Sequence, residues 1–332
     1  MTATQLQKQK VTLLIPAYNE QEVLPLLYAE LVDMTTSERG ENYDWEILFV
    51  NDGSTDNTLR LIKSWQKTNR NISYVDLSRN FGKENALLAG FDHATGDCTV
   101  ILDADLQDPP SLIWQFLEKW EEGFDDVYAR RIDRGKESYV RKLLSRLFYH
   151  IINHSSNGLI PKNVGDFRLL DSRCVKQLCL MREKERFTKG MYSWIGFKKI
   201  CIDFKRGDRA AGKSSWSLRR LFSFAVDGLL SFSNFPLRFA SVLGSVISMF
   251  AFVLTLFYLT KTLIFGDLVT GFPTLIVAIL FIGGVQLLCL GIIGEYIGRI
   301  FIETKGRPVY IVNEYRNGAD FPKDSSDESF CR

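Results

Sequence analysis

Two long uncharged segments limit what this chain can fold into more than any other feature. Residues 239–259 and 272–294 contain no Asp, Glu, Lys or Arg, and only Lys261 and Asp267 are charged between residues 239 and 294. A helix of about 20 apolar residues crosses the ~30 Å hydrocarbon core of a bilayer. We therefore predict two transmembrane helices within residues 237–298.

The charges around these segments predict their orientation. The connection between them offers one Lys, whereas positive residues flank the pair on its outer sides: Arg219, Arg220 and Arg238 before it, and Arg299, Lys305 and Arg307 after it. Because Lys and Arg favour cytoplasmic loops, both termini should be cytoplasmic. The first ten residues, a polar tail, lack the apolar core of a signal peptide. We expect a multi-pass protein of the inner, cytoplasmic membrane, with residues 299–332 as a cytoplasmic tail.

Residues 215–236 precede the first predicted span and carry an amphipathic pattern. Arg219 and Arg220 lie outside the apolar face of the predicted helix. That face contains Leu218, Leu221, Phe222, Ala225, Leu229 and Phe232. Such a pattern suits a helix lying in the membrane interface. An ordinary amphipathic core helix is the alternative.

Strand and helix patterns alternate through residues 11–214. Apolar runs at residues 11–16, 45–50, 72–77 and 98–102 alternate with helical spacing at residues 23–31, 55–66, 83–93 and 109–122. Asn19, with Glu22 three residues later, offers a cap for the first helix. This alternation predicts an α/β domain with a Rossmann-like, mostly parallel sheet and helices on both faces. Ligands of such folds bind at the carboxyl ends of the strands.

Acidic side chains follow two of the predicted strands. Asp103 and Asp105 come after an apolar run, and in an extended segment they would face the same way as Gln107. Oxygen ligands of this kind hold hard divalent cations against phosphates. Asp52, after the second strand, could accept from a base or ribose, or could start an Asx turn with Gly53.

The combination of a carboxylate pair and membrane segments indicates a sugar-nucleotide enzyme whose acceptor lies in the membrane. A diphosphate donor needs its charge neutralised, and the apolar segments indicate a lipid. The net charge of +2 hides an uneven distribution, because the first two-thirds of the chain is densely charged. We expect no nucleic-acid partner. A homo-oligomer is left open.

Five motifs together resemble the inverting GT-A glycosyltransferases that load polyprenyl phosphates. In order, they are IPAYNE (15–20), NDGS (51–54), DADLQDPP (103–110), GDFRLL (165–170) and GEYIGR (294–299). The likeness is strongest to bactoprenol (undecaprenyl-phosphate) glucosyltransferases, relatives of dolichol-phosphate mannose synthase, and it spans about residues 10–312. It implies UDP-glucose as donor, undecaprenyl phosphate as acceptor, Mg²⁺ or Mn²⁺ as cofactor, and a lipid-linked sugar for O-antigen or cell-envelope glycan modification.

The resemblance also implies roles for individual positions. Asp103, Asp105 and Gln107 would hold the metal and diphosphate, and Asp52 the uracil or ribose. The nucleotide pocket would be lined by Pro16, Ala17, Tyr18 and Glu20. Basic positions facing the acceptor would be Arg131, with its neighbour Arg130, and Arg209 and Lys213 of the acceptor loop. Relatives place a Lys just before the aromatic of that loop, where this chain has Ser215, and Lys213 lies two residues earlier.

Asp166 takes the family's position for a catalytic base. A phosphate monoester, with a second pKa of about 6, is already largely ionised near neutrality and leaves little proton removal to a base. Asp166 could instead orient Arg168 or the sugar hydroxyls, while Arg168 and Arg131 hold the acceptor phosphate. We therefore expect Asp105, Asp166 and Arg168 to serve catalysis.

Three other functions stay open at the level of sequence. One is transfer of another hexose, mannose or an amino sugar, to the same kind of lipid. Another is a processive polysaccharide synthase, although its QxxRW motif is missing and two spans are few for a polymer channel. The last is a sugar-nucleotide-binding membrane protein without turnover, which the intact acidic motif disfavours.

Overall fold

The structure is a computed structural model that describes residues 8–132, 164–184, 186–204, 235–265 and 271–318. The described residues divide into two compact units. One unit contains the β-sheet and its helices and draws on residues up to 204 and from 308 onward. The other contains two long helices within residues 235–307. Most of the predicted interfacial region, residues 215–234, lies outside the described residues.

Eight strands form one sheet in the first unit. They are β1 (Lys10–Ala17), β2 (Asp44–Asn51), β3 (Ile72–Leu77), β4 (Cys98–Ile101), β5 (Asp126–Arg131), β6 (Val164–Asp171), β7 (Lys199–Phe204) and β8 (Val312–Arg316). Their order in the sheet is β7-β5-β6-β4-β1-β2-β3-β8. The centre is parallel, with β1 between β2 and β4, and β3 beside β2. This confirms the predicted Rossmann-like, mostly parallel sheet.

Six helices accompany the sheet in the described part of this unit. They are α1 (Leu24–Thr36), α2 (Thr58–Gln66), α3 (Lys83–His93), α4 (Ile113–Glu121), α5 (Ser172–Leu180) and α6 (Thr188–Trp194). Alternate residues of β1 face opposite sides of the sheet. Leu13 packs in the cluster that includes Leu27 of α1 and Phe116 of α4. Leu14 lies directly against Gly90 of α3, where any larger side chain would collide with it. Helices therefore cover both faces, as predicted.

The first helix begins later than its sequence suggested. We predicted that Asn19 and Glu22 cap it, but α1 starts at Leu24 without a side-chain cap. Asn19 has a φ of 55° and its Oδ1 accepts a 2.8 Å hydrogen bond from the Thr55 amide. The capping prediction was wrong because Asn19 joins two loops at the sheet edge instead.

Two strands run against the parallel centre. Strand β6 is antiparallel to both β4 and β5, and β8 is antiparallel to β3. Side chains also attach β8, since Glu314 accepts hydrogen bonds from Lys63 at 2.5 Å and from Tyr74 at 2.8 Å. Residues 299–332 were predicted to be a cytoplasmic tail, yet residues 312–316 form an edge strand of the sheet. This strand, VNEYR, is short and mostly polar and lacks a regular apolar alternation, so its sequence did not predict it.

Two long helices form the second unit. They are α7 (Phe235–Phe265) and α8 (Phe272–Thr304), and the predicted spans 239–259 and 272–294 lie within them. Cys289 of α8 lies 3.8 Å from the carbonyl oxygen of Ala240 of α7. Within the described residues, one segment, Phe281–Thr304, is long and apolar enough to cross a membrane. The second crossing stays a prediction.

Candidate active site

The loops after β1 and β2 are joined at the carboxyl edge of the sheet. The Asp52 amide donates to the Ala17 carbonyl at 2.9 Å, and the Asn19 amide donates to the Ser54 hydroxyl at 3.0 Å. Parallel strands bring these loops together because their carboxyl ends meet at one edge. Four predicted nucleotide-pocket residues, Pro16, Ala17, Tyr18 and Glu20, lie in or beside this junction.

These four residues differ in what they can offer a ligand. Ala17 is buried, while 46% of Tyr18 is exposed and leaves its ring open to solvent. The Glu20 amide donates a 2.9 Å hydrogen bond to the Thr58 hydroxyl at the start of α2. The loop backbone is thus held in place, and Tyr18 is the side chain most available for contact with a bound molecule.

Asp52 organises the loop that leads into α3. Its Oδ1 accepts from the Phe81 amide at 2.7 Å and its Oδ2 accepts from the Gly82 amide at 2.9 Å. Burial raises the pKa of Asp52, and these two amides oppose the shift. The Asx-turn alternative does not describe this carboxylate, which bonds 29 and 30 residues along the chain. Contact of Asp52 with a base or ribose stays a prediction.

The acidic motif after β4 forms a turn. The Gln107 amide donates to Asp105 Oδ1 at 3.2 Å, and Leu106 between them has a φ of 53°. We predicted that Asp103, Asp105 and Gln107 would align in an extended segment, and that prediction was wrong, because the backbone reverses at Leu106. Gln107 is 3% exposed, while Asp103 and Asp105 are half-buried. The two carboxylates are therefore the accessible ligands of the motif.

Lys83, which was not among the residues predicted from sequence, connects two of the predicted site residues. Its ammonium lies 2.6 Å from Asp103 Oδ1 and 2.7 Å from Asp166 Oδ2. Lys83 is the first residue of α3, directly after the loop that Asp52 holds. Asp103 follows β4 and Asp166 lies in β6, so this lysine joins the acidic motif to the predicted base.

The charges of this cluster shift the pKa values of its members. Burial lowers the pKa of Lys83, but Asp103 and Asp166 outweigh burial and raise it well above its usual value. Burial raises the pKa of Asp166, but the Lys83 ammonium outweighs it and holds that pKa well below the usual range. Asp166 is 8% exposed, and its Oδ1 has no hydrogen-bond partner among the described residues. The second oxygen of Asp166 is thus buried with its hydrogen-bonding capacity unused by the described residues.

Glu84 lies next to this cluster, and its pKa shifts in the opposite direction to that of Asp166. Burial, followed by the charge of Asp166, raises the pKa of Glu84 to about 7. Its Oε2 accepts a 3.2 Å hydrogen bond from the Thr188 amide and a second from the Thr188 hydroxyl. Glu84 therefore links the start of α3 to the start of α6.

Arg168 lies in the interior, away from any accessible surface. Its Nη1 is 3.1 Å from Asp126 Oδ2, and its guanidinium carbon is 3.7 Å from the Tyr192 ring centroid. Arg168 is 3% exposed and Tyr192 is 1% exposed. The geometry does not favour the predicted contact of Arg168 with an acceptor phosphate. It favours a structural ion pair between β6 and β5.

Arg131 at the end of β5 is better placed to meet a ligand. Its side chain is 25% exposed, and its Nη2 lies 3.4 Å from Asp108 Oδ1 at the end of the acidic motif. Its neighbour Arg130 points away and pairs with Asp203 on the surface, at 2.6 and 2.8 Å. Of the predicted acceptor-binding residues, Arg209 and Lys213 lie outside the described residues.

The carboxylates of the motif fit a divalent cation that shares its coordination with phosphates. In the described part of the chain, no group of three or more His, Cys, Asp or Glu side chains is arranged to hold a metal ion. Mg²⁺ is usually bound by one or two carboxylates together with substrate phosphates and waters. Asp103 and Asp105 supply those carboxylates. Their chemistry therefore suits a cation that arrives with a diphosphate.

Comparisons with known proteins agree with this geometry. Residues 12–179 match the model of Glycosyl transferase family 2, and residues 236–300 match that of the GtrB C-terminal hairpin. An uncharacterized glycosyltransferase of Synechocystis sp. is 43% identical, covering 92% of this chain and 95% of the relative.

Two further relatives are named for a reaction. The prophage bactoprenol glucosyl transferase homolog of Escherichia coli is 41% identical, covering 92% of this chain and 99% of the relative. The bactoprenol glucosyl transferase of Shigella phage SfII is 40% identical, covering 93% of this chain and 99% of the relative. With its sheet, its acidic motif and these similarities, the chain belongs to glycosyl transferase family 2.

Proposed function

We propose that this protein transfers glucose from UDP-glucose to undecaprenyl phosphate, a polyprenyl phosphate. The observation that carries the proposal is the alignment with bactoprenol glucosyl transferases, which includes 99% of the Shigella phage SfII protein. That alignment is long enough to take in both the sheet unit and the long helices. The product would be a lipid-linked glucose for modification of O-antigen or another envelope glycan.

The reaction takes place at the cytoplasmic face of the inner membrane. The long helices α7 and α8 support a membrane hairpin, because large apolar side chains on them are exposed, among them Phe252 and Leu287. The positive residues before α7 and at the end of α8 support cytoplasmic termini. On this topology the sheet unit meets the cytosolic nucleotide sugar.

Asp103 and Asp105 hold the cation of the donor complex. Bound by these residues, Mg²⁺ or Mn²⁺ would supply positive charge that neutralises the diphosphate and would make UDP a better leaving group. The loops after β1 and β2, with Tyr18 exposed beside them, take the nucleotide. This arrangement is supported by the position of all three loops at the carboxyl edge of the parallel strands.

The transfer is a single displacement with inversion. An oxygen of the acceptor phosphate forms a bond to the anomeric carbon of glucose, while the bond from that carbon to the UDP oxygen breaks and its electron pair leaves with UDP. No proton must be removed from an acceptor phosphate that is already ionised. Asp166, whose pKa is held low by Lys83 against the effect of burial, is a weak base, and its role is to orient the sugar.

The acceptor phosphate is held by positive side chains at the edge of the sheet unit. Arg131 is the best placed of the described candidates, since its side chain is 25% exposed and contacts the end of the acidic motif. A guanidinium binds phosphate oxygens through two parallel hydrogen bonds. Arg209 and Lys213 complete the acceptor site in this proposal.

A donor panel tests the function. Membranes containing the protein are incubated with undecaprenyl phosphate and, separately, with UDP-glucose, GDP-mannose or UDP-N-acetylglucosamine. The organic extract is then analysed by mass spectrometry. We expect one hexose per lipid, from UDP-glucose, and at least about 100-fold slower product formation in membranes carrying Asp105→Asn.

The other outcomes of the panel identify the rival functions. Product from GDP-mannose or the amino sugar alone would replace glucose as the transferred sugar. A ladder of sugars on one lipid would indicate a polysaccharide synthase. Binding of UDP-glucose without any lipid product would indicate a protein that binds the donor and does not turn it over.

A further inference from the structure

Lys83 occupies a position between two carboxylates that the reaction also requires. Its ammonium contacts Asp103 Oδ1 at 2.6 Å and Asp166 Oδ2 at 2.7 Å. The backbone in front of it is fixed, because Asp52 accepts from the amides of both preceding residues. The location of this positive charge therefore follows from the fold.

A divalent cation and this ammonium compete for the same carboxylate. A hard cation binds a carboxylate oxygen at about 2.0–2.6 Å, so it would lie beside Asp103 where the ammonium now lies. With both bound to Asp103, the cation and the Lys83 ammonium would repel each other strongly in this partly buried site. With Lys83 in place, Asp103 is already neutralised, and a free cation gains little by binding there.

We propose that Lys83 is a built-in counter-ion that makes cation binding at Asp103 depend on the donor diphosphate. The inference rests on the proposed function only in taking a nucleotide diphosphate as donor. The diphosphate brings the negative charge that a second cation requires. The Lys83 ammonium then binds a phosphate oxygen and leaves Asp103 to the metal.

The side chain has the freedom that this exchange requires. Lys83 is a flexible point charge on four methylene groups, and 41% of its side chain is exposed. Asp166 is fixed in β6 and is 8% exposed, so it remains while the lysine moves. Its Oδ1 is buried and has no hydrogen-bond partner among the described residues.

Binding measurements on the full-length protein in detergent test the inference. Mn²⁺ affinity is measured by electron paramagnetic resonance without nucleotide, and UDP affinity is measured by calorimetry in saturating Mn²⁺. For Lys83→Met we expect Mn²⁺ alone to bind at least about 10-fold tighter, because a repelling charge is gone. UDP with Mn²⁺ should bind at least about 10-fold weaker, because a phosphate contact is lost.

Matched variants separate this effect from a general loss of structure. Lys83→Arg keeps the charge and should leave free Mn²⁺ affinity within about 3-fold of the wild type. Lys119→Met removes a partly exposed lysine of α4 that pairs with Glu122 just after the helix, and it should change neither affinity. If Lys83→Met fails to fold, Lys83→Gln carries the same expectations.

A merely structural role for Lys83 predicts a different pattern. Loss of structure would weaken both Mn²⁺ and UDP binding, and that result, or unchanged Mn²⁺ affinity in a folded variant, would overturn the inference. Neither measurement uses a lipid or a sugar. Failure of the wild type to bind UDP would instead contradict the proposed function.

Discussion

Arg168 and Asp126 form an ion pair of 3.1 Å in which neither side chain is more than 4% exposed. The Tyr192 ring covers the guanidinium from one side, at 3.7 Å from its centroid. A charge pair this far from water depends on both partners, because the remaining charge is costly to bury alone. The pair therefore holds β6 to β5, next to the strand position of Asp166.

Arg168→Ala should lower the free energy of unfolding by about 3–5 kcal/mol, since it leaves the Asp126 carboxylate buried without its partner. Thermal and denaturant unfolding in detergent measure this change. The control is Arg130→Ala, which breaks a solvent-exposed pair with Asp203 and should leave the free energy of unfolding nearly unchanged. A stable Arg168→Ala protein with a raised KM for lipid would restore the phosphate-binding role.

Asp105→Asn should lower turnover at least about 100-fold, because charge stabilisation by a metal is worth several kcal/mol. Hexose incorporation into lipid measures turnover, with Asp33→Asn on the exposed side of α1 as control. Excess chelator should abolish activity of the wild type. Near-normal turnover in the variant, or full activity with chelator, would contradict the metal assignment.

Asp166→Asn should slow the reaction but keep an activity profile that rises near pH 6, because that step belongs to the acceptor phosphate, with a second pKa of about 6. Initial rates between pH 5 and pH 8 measure the profile. If Asp166 were a general base, the pH profile of the variant would lose the rise caused by ionisation of the Asp166 carboxylate. Small bases such as formate would then restore activity.

Glu84→Gln should stabilise the protein at high pH. The pKa of Glu84 is raised from 4.5 to about 7 on folding, first by burial and then by Asp166. A carboxyl group with a higher pKa in the folded state stabilises the fold at pH values below its unfolded-state pKa. This contribution is lost as the pH rises through its folded-state pKa.

The stability difference between Glu84→Gln and the wild type should therefore grow between about pH 4.5 and pH 7, to on the order of 1 kcal/mol after allowance for solvent screening. Melting temperatures from pH 4 to pH 8 measure it. Glu122→Gln, which alters an exposed pair with Lys119, should give a flat difference. If the stability difference for Glu84→Gln is also independent of pH, the pKa of Glu84 is not raised in the folded protein.

Cysteine labelling should report the orientation of the hairpin. A cysteine at Thr270, in the connection between the spans, should react with an impermeant thiol reagent from the periplasm, and one at Ser325 should not. Both positions lie outside the described residues, and the unmodified chain gives the background from its own cysteines. The reverse labelling pattern would place the donor site on the periplasmic side and contradict the proposed topology.

The parallel centre of the fold could be predicted because its signals are local. Apolar runs ended at polar clusters, and helical spacing followed each run, so β1 to β4 and their helices were anticipated within a few residues. The antiparallel direction of β6 could not be predicted. It depends on pairing with β4 and β5, which are distant in sequence, and no local pattern specifies it.

Some residues of the candidate site could also be predicted from the sequence. The acidic motif and Asp166 were identified from sequence, but the turn at Leu106 was not, since a non-glycine residue with positive φ gives little signal. Lys83 did leave a signal. A lysine at the first position of a helix is disfavoured by the helix dipole, and a nearby carboxylate offsets that cost.

The edge strand β8 sets an order of events during synthesis. Residues 312–316 leave the ribosome after both long helices, so β3 lacks its outer neighbour until the hairpin has been made. Glu314 then reaches Lys63 and Tyr74, about 250 residues earlier in the chain. Translation therefore completes both long helices before the sheet gains its last strand. A nascent chain halted at residue 307 would carry an unpaired β3 edge that another strand could pair with.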